Sequence, residues 1–210
     1  LSGQVEADAT VTSIVITDSA SGSITVDAID ISVDASGAVT VVGQDLSSLA
    51  DGELTVTMTV TDAANNSGTV TGTTVLDQTP PVVGLDDVLT NDATPELNGT
   101  VDDKDATIVV TVDGVDYPAT NNGDGTWTLA DDSLPALNEG EHTITVTATD
   151  PAGNTGTDTA TVTVDSTAPN DTDNSISFDD ALVSAAEAQA GVTLSGQVEA
   201  DATVTSIVIT

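Results

Sequence analysis

The first seventeen residues, LSGQVEADATVTSIVIT, return letter for letter at 194–210, an offset of 193 from residue 1. A fixed period constrains a fold more tightly than any local propensity, because each unit must adopt the same structure as its neighbours. So exact a copy is expected of an excerpt from a longer tandem array. A second offset, of 88 residues, lies inside the first: DGELTVTMTVTDAANNSGTVTGTTVLDQTPP (51–81) aligns without a gap on EGEHTITVTATDPAGNTGTDTATVTVDSTAP (139–169). Two related modules therefore alternate. The expected division is 1–78 as a module lacking its first strand, 79–165 as a complete module, and 166–210 as the linker and opening strands of the next.

Within each unit the pattern has period two. ELTVTMTVTD (53–62), HTITVTATD (142–150), TDTATVTVD (157–165) and TIVVTV (107–112) alternate Val or Ile with Thr, placing apolar side chains on one face and hydroxyls on the other. Turn signals fall between these runs at ADG (50–52), VDG (112–114), NNGDG (121–125) and NEG (138–140). Short alternating strands with frequent turns predict an all-β sandwich. The one helix-compatible stretch, ALVSAAEAQA (181–190), is expected to be a loop or a single helical turn. Trp127, two residues past a hairpin turn in GDGTWTL, is expected in the core.

Charge narrows the partners. The 35 acidic residues face a single Lys104, giving a formal net charge of −34. Nucleic acid and membrane insertion are excluded, since the first needs a basic surface and no run of eighteen apolar residues exists. Seven of the acids are Glu and the other 28 are Asp, the acid favoured in turns and rigid cation sites. Charge of one sign repels itself, so bound cations are expected where the acids crowd. Without any Cys, neither disulfides nor thiolate chemistry is available.

TDPAGNTG, followed by an alternating strand and VDSTAP, resembles the C-terminal half of bacterial immunoglobulin-like modules. VSAAEAQAGVTLSGQVEADATVT is similar to the opening half of the same module. Such modules build giant secreted repeat adhesins, including BapA-like and SiiE-like proteins and the extender regions of RTX adhesins. The resemblance implies tandem immunoglobulin-like β-sandwiches in an elongated rod, with Ca2+ at the junctions, exported by a type I system to the bacterial cell surface. It also implies a structural extender that projects a distal adhesive region for attachment or biofilm formation. Its partners would be neighbouring modules of the same chain, with the tip ligand outside this fragment. One departure is Asn65 in TDAANNSG (61–68), where the family prefers Gly; Asn tolerates a left-handed backbone better than most residues.

Topology then nominates a metal site. The loop joining the last two strands, TDPAGNT (149–155), lies at the end where the module's first strand enters, so Asp150 and Asn154 are expected to face the linker residues Asp77 and Gln78. The loop DDKD adds Asp102, Asp103 and Asp105 at the same end. Carboxylate, amide and backbone oxygens on short turns suit calcium, which takes six to eight such ligands. The first choice is Asp77, Asp150 and Asn154. Asp165, Asp171 and Asp173 would form the next junction, and Asp62 with Asn66 the one upstream. The plainer alternative is that Asp62 and Asp150 only cap their own turns. DQTPP (77–81) and DSTAP (165–169) lack glycine and carry proline, which fixes φ, so the joints should be short and stiff.

Catalysis is not expected. His142 has no Cys or Ser partner motif, and the adjacent pairs Asp86–Asp87 and Asp131–Asp132 would point to opposite faces of a strand. A carbohydrate- or protein-binding Ig-like module remains the alternative function.

Overall fold

A computed structural model describes the chain apart from residues 7, 170–173, 180, 201 and 210. Seven strands form the first unit: β1 (Ser2–Gln4), β2 (Thr10–Thr17), β3 (Ser23–Thr25), β4 (Ile31–Val33), β5 (Ala38–Val41), β6 (Gly52–Thr61) and β7 (Ser67–Leu76). They make one sheet in the order β1-β5-β4 and another in the order β3-β2-β6-β7. The apolar sets of the two sheets meet in a core that includes Ile14, Ile16, Val39, Val41, Leu54 and Met58.

The second unit runs from β8 to β15. Its strands are β8 (Val83–Leu85), β9 (Val88–Thr90), β10 (Leu97–Val101), β11 (Thr107–Val112), β12 (Val115–Asn121), β13 (Thr126–Leu129), β14 (Gly140–Thr149) and β15 (Thr155–Val164). They are hydrogen-bonded in the order β8-β10-β13-β12-β11-β14-β15-β9. Only Thr120 and Asn121 of β12 pair with β13, so this is the corner where one layer passes into the other. Alternation in the sequence becomes alternation in burial. Ile144, Val146 and Ala148 on β14 are buried, and the intervening threonines face outward. Trp127 lies at the centre with no exposed surface, its indole N–H donating to Gly84 O at 3.1 Å.

The opening segment of this unit takes part in both layers. β8 lies antiparallel on β10, and β9 then runs parallel along the outer edge of β15. The Asp87 carboxylate accepts from Thr161 N at 2.8 Å, and the Asp158 carboxylate from Leu85 N at 2.9 Å, tying both parts of the segment to β15.

Further along, β16 (Ser175–Phe178) pairs antiparallel with β17 (Leu194–Gln197). Between them lies α1 (Ala185–Ala190), slightly more than the expected single turn. A reciprocal cap starts it: Ser184 Oγ accepts from Glu187 N, and Ser184 N donates to the Glu187 carboxylate. Gly191, at φ 97°, ends it.

Candidate metal centre at the linker

The two repeated turns have one geometry. In the second unit Asp150 Oδ1 accepts from Asn154 N at 2.8 Å, Oδ2 accepts from Asn154 Nδ2 at 2.8 Å, and Asp150 N donates to Asn154 O at 3.0 Å. In the first unit Asp62 and Asn66 make the same three bonds at 2.8, 2.9 and 3.0 Å. Asn65 adopts φ 65° where Gly153 adopts φ 96°, so the Gly-to-Asn departure leaves the turn intact. Each turn is thus closed by its own side chains, as short Asx turns are.

The linker distinguishes them. Asn154 Nδ2 also donates to Asp77 O at 3.0 Å, carrying the turn across to the linker. Asp150 is 7% exposed and is the sole buried charged residue among those described, whereas Asp62 is half-buried. Burial pushes the Asp150 carboxyl up. The bonds from Asn154 and the amides of Gly153 and Ala152 outweigh that effect and hold it below the usual carboxylate range. The Asp62 carboxyl is also lowered, first by the Asn66 side chain.

The other predicted residues divide. Asp102 reaches the linker: its carboxylate accepts from Val82 N at 2.7 Å and its N–H donates to Val82 O at 3.1 Å. Asp103 turns inward instead, accepting from Asp105 N at 2.8 Å, and Asp105 pairs with Lys104 Nζ at 2.5 Å. The Asp77 carboxylate accepts from Thr79 N at 3.2 Å, and that of Asp165 from Thr167 N at 3.1 Å. Asp171 and Asp173 lie outside the described residues. No three acidic or imidazole side chains converge on a metal-holding position among the described residues. The Asp150 carboxylate and the Asp77 carbonyl nonetheless meet at one place, where the Asn154 amide nitrogen donates to both, and these two oxygens are of the hard type that calcium takes.

Two linker contacts were not singled out in the sequence. Asp51 Oδ1 accepts from Gln78 N at 2.9 Å and its Oδ2 from Thr79 Oγ1 at 2.5 Å, while Gln78 Nε2 donates to Leu49 O at 3.0 Å. One 88-residue offset later, Glu139 accepts from Ser166 N at 3.0 Å and from the Ser166 hydroxyl. The Thr79 hydroxyl holds the Asp51 carboxyl below its ordinary range against the opposing effect of burial, and the Gln78 amides add to the lowering. The available signal was the alignment of ADG on NEG, which places an acid at the same step before each penultimate strand.

Repeated two-layer units with short linkers define a class, tandem β-sandwich modules of immunoglobulin type. Within it, residues 84–166 match the bacterial Ig-like domain family, and that module belongs to it. Among solved structures, the tetra-tandem repeat in the extending region of a large adhesion protein is 31% identical. That match covers 93% of this chain and 50% of the other, with a TM-score of 0.39. A Ca2+-stabilized adhesin that helps an Antarctic bacterium reach out and bind ice is 25% identical over 94% of this chain and 51% of that one, with a TM-score of 0.34. A 1.5-MDa bacterial ice-binding adhesin gives 25% identity over 94% and 68%, with a TM-score of 0.39. The chain spans about half the length of the first two. No curated protein matches it. No helix among the described residues is long and apolar enough to cross a membrane.

Proposed function

We propose that this chain is a structural extender, part of the stalk of a large bacterial surface adhesin, and that it has no enzymatic role. Its modules would be 1–78, 79–165 and the unit opening at 166, repeated to hold a distal adhesive region away from the cell for attachment or biofilm formation. The observation that carries this reading is the way the linker is held. Asp51 binds it from the upstream unit, while Asn154 and Asp102 bind it from the downstream one. A joint fixed from both sides by polar contacts, with Pro80 and Pro81 setting its backbone, suits a spacer better than a swivel.

Calcium would stiffen the joint further. Asp150, Asn154 and Asp77 would hold it at the described junction, Asp165, Asp171 and Asp173 at the next, and Asp62 with Asn66 at the one upstream. The ion would draw oxygens of linker and turn onto one centre and offset part of the −34 charge. Type I export to the cell surface fits an acidic chain that stays loose at low calcium and rigidifies outside. Thermal unfolding in millimolar calcium and in excess EGTA tests the ion's part. A higher Tm with calcium, reduced in Asp150→Asn, is expected; identical curves overturn the calcium reading.

A further inference from the structure

The dipeptide Asn–Gly occurs twice in the chain, at Asn98–Gly99 and at Asn122–Gly123. A glycine nitrogen has no side chain beside it to hinder approach to the preceding side-chain amide, and the glycine backbone reaches conformations closed to other residues. Ring closure between the two is then decided by the surroundings, and the fold gives the two copies opposite ones.

Asn98–Gly99 lies inside β10, which pairs with β13 on one edge and β8 on the other, in the registers Gly99↔Trp127 and Gly99↔Leu85. A Cβ on Gly99 would lie 2.0 Å from Gly84 O and 2.8 Å from the Trp127 indole nitrogen. Backbone enclosed on both edges cannot bring the Gly99 nitrogen onto its neighbour's side chain without opening the sheet. Asn122–Gly123 sits instead at the tip of the hairpin between β12 and β13, and both residues are exposed. Gly123 has φ 75°, and nothing lies within 4 Å of the place its Cβ would take. Its N–H donates to the Asn121 side-chain oxygen at 3.0 Å, a bond that a side-chain rotation opens.

The amide nitrogen of Asn122 is surrounded by hydroxyls. Asn122 Nδ2 donates to Thr126 Oγ1 at 2.9 Å and to Thr128 Oγ1 at 3.1 Å, and Thr126 Oγ1 donates to the Asp124 carboxylate at 2.6 Å. A hydroxyl both accepts and donates, so the groups that receive bonds from Nδ2 in the resting turn can return a proton to it as it leaves. The equivalent hairpin of the first unit, between β4 and β5, contains no Asn: Asp34 Oδ1 closes it, accepting from Ser36 N at 2.8 Å and Ala38 N at 3.0 Å. The chemistry is available to one of the two alternating modules.

We propose that Asn122 is a site of spontaneous covalent modification, converted through a cyclic imide to isoaspartate and aspartate, while the sheet protects Asn98. Gly123 N attacks Asn122 Cγ. The N–Cγ bond forms, the Cγ–Nδ2 bond breaks, and the proton given up by Gly123 N leaves with Nδ2 as ammonia. Water then opens the ring at one of its two carbonyls. Opening at Cγ restores the ordinary backbone with aspartate; opening at the main-chain carbonyl leaves isoaspartate, whose backbone is one methylene longer. Water is the one co-reactant, and nothing is oxidised or reduced.

The consequence falls on the linker. The hairpin backs the DDKD loop: Asn121 Nδ2 donates to Asp103 O at 2.8 Å and to Ala106 O at 2.9 Å, and Val101 N donates to Gly125 O at 3.0 Å. Asp102 of the same loop holds Val82 through both its carboxylate and its N–H. A turn one methylene longer, with a further negative charge close to Asp124, supports that loop less well. A modified module therefore grips its upstream linker less firmly, whatever the array is used for.

Peptide mapping of the folded chain during incubation at mildly alkaline pH tests the proposal. Cleavage after Lys104, the one lysine or arginine in the chain, puts Asn98 and Asn122 on different fragments, and electron-transfer fragmentation locates the conversion and tells isoaspartate from aspartate. In the folded chain Asn122 is expected to convert at least about tenfold faster than Asn98, and in concentrated urea the two are expected to convert at similar rates. Equal rates in the folded chain overturn the proposal. So does an Asn122 that stays intact when folded and converts in urea, since the Thr126 and Thr128 bonds would then be shielding it. The Val82 amide is expected to exchange faster in the modified fraction, isolated by anion exchange, than in the unmodified one; identical exchange overturns the effect on the linker.

Discussion

Gly156 and Gly68 occupy equivalent positions, one 88-residue offset apart, near the start of the last strand of their units. At Gly156 an added Cβ would lie 1.8 Å from Pro81 O and 3.0 Å from Pro81 C; at Gly68 nothing lies within 4 Å. Contacts under 3.0 Å require something to shift, and the obstructing atoms at Gly156 are backbone. Gly156→Ala must therefore displace the linker at Pro81 and disturb the neighbouring Asn154–Asp77 and Asp102–Val82 bonds. Overpacking of this kind costs about 1–3 kcal/mol. For a domain of this size that is a fall in Tm on the order of 10 °C. Gly68→Ala meets no obstruction and reduces the freedom of the unfolded chain, so it should be neutral or stabilising by up to about 1 kcal/mol. Trp127 is the only tryptophan, so its fluorescence during thermal unfolding of dilute protein follows the second unit alone, and far-ultraviolet circular dichroism adds the first. Equal shifts for the two substitutions would refute the packing of Pro81 over β15.

The core gives a second expectation. Trp127→Ala should cost about 3–5 kcal/mol, a large share of the stability of a single domain, and should lower the unfolding transition of the second unit while leaving that of the first in place. Calorimetry resolving the two transitions checks this. Acid gives a third. Asp18, Asp34, Asp51, Asp62, Asp124, Asp150 and Asp158 all sit below the ordinary carboxylate range in the folded chain. A depressed folded pKa contributes stability that is present above the unfolded value of about 3.9 and lost as pH falls through the folded value. Asp131 acts in the opposite sense: burial, then the charges of Asp132 and Asp92, raise it, so its protonation favours the fold. Relief of self-repulsion in a chain of net charge −34 works the same way. The Tm should pass through a maximum at mildly acid pH and then fall below about pH 4; a Tm that keeps rising to pH 2 contradicts the hydrogen-bond assignments.

The strands were readable because burial follows the Thr alternation, as in Ile144, Val146 and Ala148. The turn pairs Asp62–Asn66 and Asp150–Asn154 were readable because one closed turn was used twice. What escaped was direction. Asp77 points its carboxylate along its own linker to Thr79 and offers the downstream turn only its carbonyl. In DDKD, Lys104 takes Asp105 and a local turn takes Asp103, so only Asp102 reaches the linker. Asp51 and Glu139 read as turn formers, because the partner amides at Gln78 and Ser166 lie 27 residues further along the chain. Spacing alone does not show that the intervening hairpin brings them back together.

Small-angle scattering of the intact chain, titrated from excess EGTA to millimolar calcium, tests most directly whether the joints are stiffened by the ion. Calcium-held linkers give a longer maximum dimension and a narrower spread of conformations, both lost in Asp150→Asn. A scattering profile unchanged by calcium, or one that still requires freely swivelling units with the ion bound, contradicts the stalk as proposed.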